Sequence, residues 1–390
     1  MTTVAALDVT AVRQAYPILQ ELAYFNTGTY GLMAQPALAR YLDSVARFEQ
    51  RGMAGSRELR ADIERARERL AGRIGASADE VALTGNATDG IAFVAAGLRF
   101  DPGDEVIISD QEHPAMRVPF GYAAAERGLV VRRFQVSEEP EETLASIRSL
   151  LTPRTRLLAT SHVTSPFGIR LPVQEICALA HEHGALALVD GAQSFAVLPI
   201  DVAGIGCDFF SGNGHKWLGG PKGTGFLYAR HDLMTQLRPA YVGDGSLTGQ
   251  VEQSAELRPD GHRFEFGTRG FATPAGLNFA FDWMDELGWE SVSARIEHLS
   301  GLLKAMLRDT PGVQLMTPVA WDRSSGLVSI RVADGDEAAL QADLEAHRLF
   351  PRPSGPKGSG RIRVSLALFN DEDEVERLAA RIRVFARQGS

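Results

Sequence analysis

The sequence predicts an α/β protein: a seven-stranded, mostly parallel sheet covered by helices in a large domain, with a smaller α/β domain at the C-terminal end. Three observations carry this. From about residue 57 to about residue 230, short apolar runs bounded by Gly and small polar residues alternate with stretches of helical periodicity, the pattern of strands joined by crossover helices. Several of the runs are continuously apolar, as strands buried on both faces must be. After Pro274 the pattern changes to a long helical segment followed by a few short strands and helices.

In chain order, the strand candidates end near Thr84, Ser109, Val136, Thr160, Asp190, Phe210 and Tyr228. The first, 81–83, runs into the polar turn Thr84-Gly85-Asn86-Ala87-Thr88-Asp89-Gly90, which opens the apolar segment 91–98. The second, 105–109, leads into Asp110-Gln111-Glu112-His113-Pro114, and the fourth into His162-Val163-Thr164-Ser165-Pro166. A helical pattern over 173–183 separates it from the fifth, Leu186-Ala187-Leu188-Val189-Asp190, and a short run over 207–210 forms the sixth. The helical segment after Pro274 reaches about Arg308; strands over 327–332 and 361–366 then alternate with helices over 337–346 and 372–387. The expected large domain is 17–273, and the small one combines 1–16 with 274–390. The polar, Gly-containing stretch 243–261 is expected to be a mobile loop beside the site.

The chemistry is concentrated after the fifth and sixth strands. Lys216 is one of only four lysines in a chain with 40 Lys and Arg residues, and it lies in Gly212-Asn213-Gly214-His215-Lys216-Trp217-Leu218. An amine at a strand end beside a cleft loses its proton easily and becomes a nucleophile suited to a Schiff base; an exposed loop lysine is the plain alternative. Asp190 ends a buried run where open parallel sheets bind ligands, and its carboxylate would hold a pyridine nitrogen protonated, or else cap the following turn. The strand, turn and helix start at 84–90 aim unpaired N–H groups and a positive helix end at one point, which suits either phosphate or an ordinary N-cap.

Val189-Asp190-Gly191-Ala192-Gln193 together with Gly214-His215-Lys216 resembles the cofactor signature of the class V aminotransferase family of fold-type I pyridoxal phosphate enzymes, and the resemblance spans most of the chain. Gly212 to Leu218, with Pro221-Lys222-Gly223-Thr224-Gly225-Phe226-Leu227-Tyr228, is most similar to the isopenicillin N epimerase-like branch, and less so to the cysteine desulfurases. The resemblance implies a pyridoxal 5′-phosphate cofactor bound to Lys216, with Asp190 at the ring nitrogen, His113 over the ring and Gln193 at the phenolic oxygen. It implies a phosphate held by Ala87 and Thr88, with Asn213 or Ser211 and His215 as further donors. In Arg361-Ile362-Arg363-Val364-Ser365-Leu366, Arg363 matches the arginine that grips the substrate α-carboxylate, with Arg352 as second choice. Ser165 stands where desulfurases carry an asparagine. Phe264-Glu265-Phe266-Gly267-Thr268-Arg269 resembles the segment given to the neighbouring subunit, so that Thr268 would complete the partner's phosphate site in a homodimer with shared active sites.

One departure bears on the reaction. Desulfurases carry a nucleophilic cysteine just before the Arg-x-Ser element, whereas residues 351–360 contain none. The two cysteines, Cys177 and Cys207, fall in a helix-like and a strand-like segment and read as small buried thiols. The expected activity is chemistry at Cα of an amino acid through an external aldimine and a quinonoid, ending in β-elimination with carbon–sulfur cleavage of a cysteine derivative. Transamination and epimerisation are the alternatives within the family, and a non-catalytic cofactor-binding regulatory protein is the alternative outside it.

Other classes are excluded or discounted. A formal charge of −9 argues against nonspecific nucleic-acid or acidic-membrane binding. No apolar stretch of about 18 residues and no signal-like start occur, and two cysteines suit a reducing compartment, so a cytoplasmic location is expected. The order Lys222-Gly223-Thr224 is wrong for a nucleotide phosphate loop, which needs Gly-Lys before Ser or Thr. His181 and His183, two apart on a helix, cannot face one metal, and no metal site is expected.

Overall fold

A computed structural model of the chain describes residues 7–249, 256–333 and 335–388. Of the 243–261 stretch expected to be mobile, 250–255 lie outside the described residues; the flanks are joined by a bridge between Leu247 and Leu257.

The strands are β1 (Ala23–Tyr24), β2 (Val81–Thr84), β3 (Glu105–Ser109), β4 (Val130–Phe134), β5 (Thr155–Ser161), β6 (Leu186–Asp190), β7 (Phe209–Asn213), β8 (Gly225–Ala229), β9 (Val313–Leu315), β10 (Leu327–Val332), β11 (Leu349–Phe350), β12 (Arg352–Pro353) and β13 (Arg361–Ser365). The seven expected strands form one sheet in the order β2-β8-β7-β6-β5-β3-β4. Only β8 runs against its neighbours; the others point the same way.

Period-two packing explains why these runs sit in the middle. Ile107, Leu158, Val189, Phe210 and Phe226 enter the core on one face, while Val106, Ile108, Leu157, Ala159, Leu188, Phe209 and Leu227 enter the core on the other. The edge strand β4 departs from that rule: Val130 is exposed and Arg132 and Arg133 stand on it, charges that discourage edge pairing. It ends at Phe134, two residues before the expected Val136, whereas β7 continues three residues past Phe210 to Asn213.

A second, four-stranded antiparallel sheet has the order β12-β13-β10-β9. Its core joins Val328, Ile330, Ile362 and Val364 to Leu299, Leu303, Leu307, Val375, Leu378 and Ile382. The single long helical pattern after Pro274 is two helices, Ala272–Leu287 and Trp289–Leu307, separated by Gly288 at φ 81°, a conformation open to glycine. β1 pairs in parallel with β11, and Asn26 bridges Ser365, so the N-terminal segment crosses to the C-terminal sheet beyond residue 16.

Candidate active site

The strands β2, β3, β5, β6 and β7 all end on one side of the large sheet, where crossover loops leave room for a ligand. A cavity of about 420 Å³ opens there. It collects Ala87, Thr88, His113, Ser165, Asp190, Gln193, Asn213, His215, Lys216, Arg352 and Arg363. Two expected residues are not in its wall. Ser211 lies in β7 with its side chain turned under the helix Ala87–Gly97, and its hydroxyl donates to the carbonyls of Ala87 and Phe226 at 3.0 Å each. Thr268 is exposed in a separate surface pocket with Phe48, Arg60 and Phe271. Residues unforeseen in the sequence join the wall: Gly28, Thr29 and Tyr30 from the N-terminal segment, Ser161, and Lys222.

Lys216 follows β7 in a turn pressed against that N-terminal segment. Gly31 donates its N–H to the His215 carbonyl at 2.9 Å, and a Cβ on Gly31 would lie 1.8 Å from the Lys216 carbonyl oxygen, so only glycine fits there. The Lys216 amine has no hydrogen bond among the described residues. Burial pulls its pKa down to about 8 against the opposing pull of Asp190, and Arg363 and Arg352 lower it further. Asp190 is 4% exposed at the end of β6. Its Oδ1 accepts the Ala192 N–H at 2.8 Å, while Oδ2 has no donor among the described residues. Burial pushes this carboxyl upward; the Ala192 bond and Lys216 hold it down.

At the other end, Asn86 caps the helix Ala87–Gly97 by accepting the Asp89 N–H at 3.0 Å. The Ala87 N–H donates to Asn213 Oδ1 at 2.9 Å. Asn213 Nδ2 and the Thr88 hydroxyl have no partner among the described residues and are open to an anion. His215 Nδ1 faces the Thr224 carbonyl at 2.9 Å and so carries the proton in the neutral ring. Burial lowers the pKa of that ring. Gln193 donates from Nε2 to the Gly28 carbonyl at 2.9 Å and accepts from Trp217 Nε1 at 3.0 Å, leaving one Nε2 hydrogen.

Arg363 projects from β13, 3% exposed. It donates to the Ser165 carbonyl at 3.0 Å and hydroxyl at 2.9 Å, and through Nη2 to Thr29 Oγ1 at 3.0 Å. Arg352 reaches the same Thr29 oxygen at 3.0 Å, though it is exposed. No carboxylate among the described residues bonds either guanidinium, so an anionic ligand would meet two cations without an ion-pair partner. The His113 ring opens to the cavity, yet its pKa lies below the ordinary value, first through burial in the cleft and then through Lys216, Arg363, Arg352 and Arg117. Its Nδ1 accepts the Ala115 N–H at 3.1 Å, capping the helix Pro114–Arg127, so the neutral ring carries its proton on Nε2. Beside it, Glu112 is 5% exposed and pushed up to about 7 by burial and, less, by Asp190.

Neither cysteine lines the cavity; both are buried in the core, where loss of water raises their thiol pKa values. His181 Nε2 meets Asp208 Oδ2 at 2.9 Å, and no group of three His, Cys, Asp or Glu side chains among the described residues could hold a metal. No helix among them is long and apolar enough to cross a membrane.

Comparison with known proteins places this geometry. The model of the family described as Aminotransferase class-V matches residues 35–378. An isopenicillin N epimerase of Streptomyces clavuligerus is 33% identical over 371 residues, spanning 91% of this chain and 92% of the epimerase. A cysteine desulfurase of Serratia proteamaculans is 32% identical over 404 residues, spanning 96% and 97%. Among solved structures, the cystine C–S lyase C-DES in complex with its product cysteine persulfide superposes with a TM-score of 0.88 at 30% identity, covering 95% of this chain and 99% of that one. A second C-DES structure, with glycine covalently linked to its pyridoxal phosphate cofactor, has a TM-score of 0.89 at 30% identity, covering 96% and 99%.

Proposed function

Because this chain belongs to the aminotransferase class-V family, and is accordingly a pyridoxal phosphate-dependent enzyme, we propose that it acts at Cα of an amino acid and eliminates a β-substituent by carbon–sulfur cleavage of a cysteine derivative. One observation carries the choice of elimination. The cavity pairs an unbonded amine with guanidiniums that no carboxylate bonds, yet no thiol lines it to capture sulfur as a desulfurase cysteine would. The likeness to a C–S lyase, at 30% identity and a TM-score of 0.88, supports the same reading.

The pocket suits the cofactor in size and in donor chemistry. About 420 Å³ is within the range of small-molecule sites. Its wall offers an unpartnered atom for each polar group of a phosphorylated pyridine: the Thr88 hydroxyl and Asn213 Nδ2 for phosphate, Gln193 Nε2 for the phenolic oxygen, Asp190 Oδ2 for the ring nitrogen and the Lys216 amine for the aldehyde. When bound, pyridoxal phosphate supplies an electron sink for the pair released from Cα.

In this reading the chain's own groups do the rest. Asp190 keeps a proton on the ring nitrogen, because an adjacent negative charge favours the charged heterocycle. Arg363 binds the α-carboxylate through its planar fork, and Arg352 and Ser165 flank that contact. Lys216, with its lowered pKa, takes the Cα proton as a free amine. His113 covers the open face, limits water and takes part in proton transfer. The catalytic unit is a homodimer in which Thr268 and its neighbours from one chain serve the partner's phosphate end. Epimerisation is the second reading, favoured by the 33% identity that runs over 92% of an isopenicillin N epimerase.

The test is to offer the purified holoenzyme a panel of L-cysteine conjugates and other amino acids. Pyruvate and ammonia in equal amounts from the conjugates are expected. Release of neither, with ready exchange of Cα hydrogen, would overturn elimination.

A further inference from the structure

Glu112 carries no role in the reaction as described, yet four donors converge on it. Its Oε1 accepts from the Ser109 hydroxyl at 2.6 Å, the Ser161 N–H at 2.9 Å and the Thr160 hydroxyl at 3.4 Å; its Oε2 accepts from the Ser161 hydroxyl at 2.6 Å. Ser109 ends β3, and Thr160 and Ser161 end β5, so one carboxylate ties together the C-terminal ends of two adjacent parallel strands. Ser161 is also the register partner of Asp190 on β6, and it lines the cavity.

The next residue is His113. Its ring cannot turn freely, because Nδ1 accepts the Ala115 N–H, but that bond fixes the ring only relative to its own helix. At its start the turn is held to the end of β4, where Asp110 donates its N–H to the Phe134 carbonyl at 2.9 Å and accepts the Val136 N–H at 3.0 Å; the Glu112 carboxylate, next to His113, ties it to β3 and β5. A buried carboxylate is costly unless its lone pairs are filled, and here both oxygens are filled by groups at the strand ends.

From this geometry we infer that Glu112 is a positioning residue, which holds the 110–114 turn to the ends of β3 and β5 so that the His113 ring faces the cofactor and Asp190 across the cavity. The inference rests on the proposed place of His113 over the ring. It is separate from the choice among elimination, transamination and epimerisation.

Two measurements test it. In the first, Cα-hydrogen exchange of an amino acid into D₂O is followed by NMR for the holoenzyme and for His113→Ala, Glu112→Ala and the double variant. His113→Ala and Glu112→Ala should each slow exchange by roughly 10- to 100-fold, and the double variant should be no slower than His113→Ala by more than about 3-fold. Glu112→Gln, which keeps Oε1 as an acceptor and can donate to Ser161, should recover most of the rate. In the second, the His113 ring NMR signals should shift when pyridoxal phosphate is added to the wild-type apoprotein and shift clearly less in Glu112→Ala, while the Nε2–H tautomer, held by the Ala115 N–H, stays the same in both. Multiplying effects in the double variant, or a cofactor-induced ring shift as large in Glu112→Ala as in the wild type, would overturn the role of Glu112 alone. An unaffected rate in His113→Ala would overturn the place of His113 and the inference with it. Should Glu112→Ala not fold, Ser109→Ala removes one donor outside the cavity, and its smaller loss must likewise vanish in the His113→Ala background.

Discussion

Thr29 Oγ1 accepts a hydrogen bond from Arg363 Nη2 at 3.0 Å, so a residue near the start of the chain holds an arginine 334 positions later over the cavity. Thr29 is itself held: its hydroxyl donates to Asn26 Oδ1 at 2.6 Å, and Asn26 bridges Ser365 on the strand that carries Arg363. If Arg363 binds the substrate carboxylate, Thr29→Val should raise KM by roughly 3- to 10-fold with little change in kcat, the cost of one neutral partner to a charged group. Arg363→Leu should raise it by two orders of magnitude or so, and Arg363→Lys should recover little, because an ammonium lacks the fork. Steady-state kinetics on the preferred conjugate decides; a Lys variant close to wild type would remove the carboxylate role.

The amine of Lys216 gives a pH prediction whose sign is fixed by its surroundings. Its folded pKa of about 8 lies below the ordinary 10.5, so the amine is largely free above pH 8. In the apoprotein, the rate of Lys216 modification by an amine-specific reagent should therefore rise to a plateau with a midpoint near 8. Asp190 raises this pKa, so Asp190→Asn should shift the midpoint to lower pH. Linkage runs the same way. The unfolded state binds more protons between about 8 and 10.5, so the penalty is fully present below pH 8 and disappears as pH rises through that window. Lys216→Met should then stabilise the apoprotein at pH 7, by roughly 2–3 kcal/mol at most. Equal melting temperatures at pH 7 for the two apoproteins would contradict this.

Borohydride reduction of the holoenzyme should attach the cofactor to Lys216, identified by peptide mapping. Lys222 is the informative competitor, since it lines the same cavity. Its ammonium is engaged with the Gly31 carbonyl at 2.5 Å, whereas the Lys216 amine has no such partner. Label on Lys222 would refute the assignment of Lys216.

The large sheet was legible in the sequence because its strands are buried on both faces and the signal is local: runs such as 105–109 and 186–190 need no distant partner to be recognised. The cavity residues at the ends of β6 and β7 were legible for the same reason. What was not legible depends on contacts distant in sequence. β1 and β11 are two residues each and exist only through each other, and Thr29 enters the site only because that pairing brings the N-terminal segment across. Ser211 shows the limit from the other side: its residue type suited a phosphate donor, but strand alternation turned it under the helix Ala87–Gly97. Glu112 was invisible as a site residue because its four donors come from the ends of two strands.

The Thr268 segment is anchored by a buried ionic cluster. Glu265 accepts from Arg67 Nη1 at 2.6 Å and from the Leu83 N–H at 2.8 Å, is also paired with Arg269, and is held below the usual carboxylate range chiefly by Arg67 acting against burial. Arg67→Met would leave that carboxylate buried beside a single cation, and should destabilise the protein by about 3 kcal/mol or more in chemical unfolding. In the proposed homodimer the same segment serves the partner. Mixing Lys216→Ala protein with a Thr268→Ala/Arg269→Ala variant should restore part of the activity, through heterodimers with one unaltered site. Subunit exchange without any recovery would argue for sites built from one chain.

The reaction outcome follows from where a proton and a leaving group can go. Once Lys216 has taken the Cα proton, a cysteine conjugate has a weakly basic sulfur at Cβ, and no thiol in the cavity wall stands ready to attack it. In the proposed elimination the sulfur should depart as a thiolate or persulfide, with pyruvate and ammonia formed from the rest of the substrate and water in equal amounts. Turnover should continue without any added oxo acid. An aminotransferase would release an oxo acid without ammonia and stop after one turnover until a second oxo acid was supplied. An epimerase would return the substrate with its configuration inverted and its sulfur in place. Chiral chromatography, an ammonia assay and a thiol assay on one reaction mixture separate the three, and a single stalled turnover free of ammonia would replace elimination by transamination.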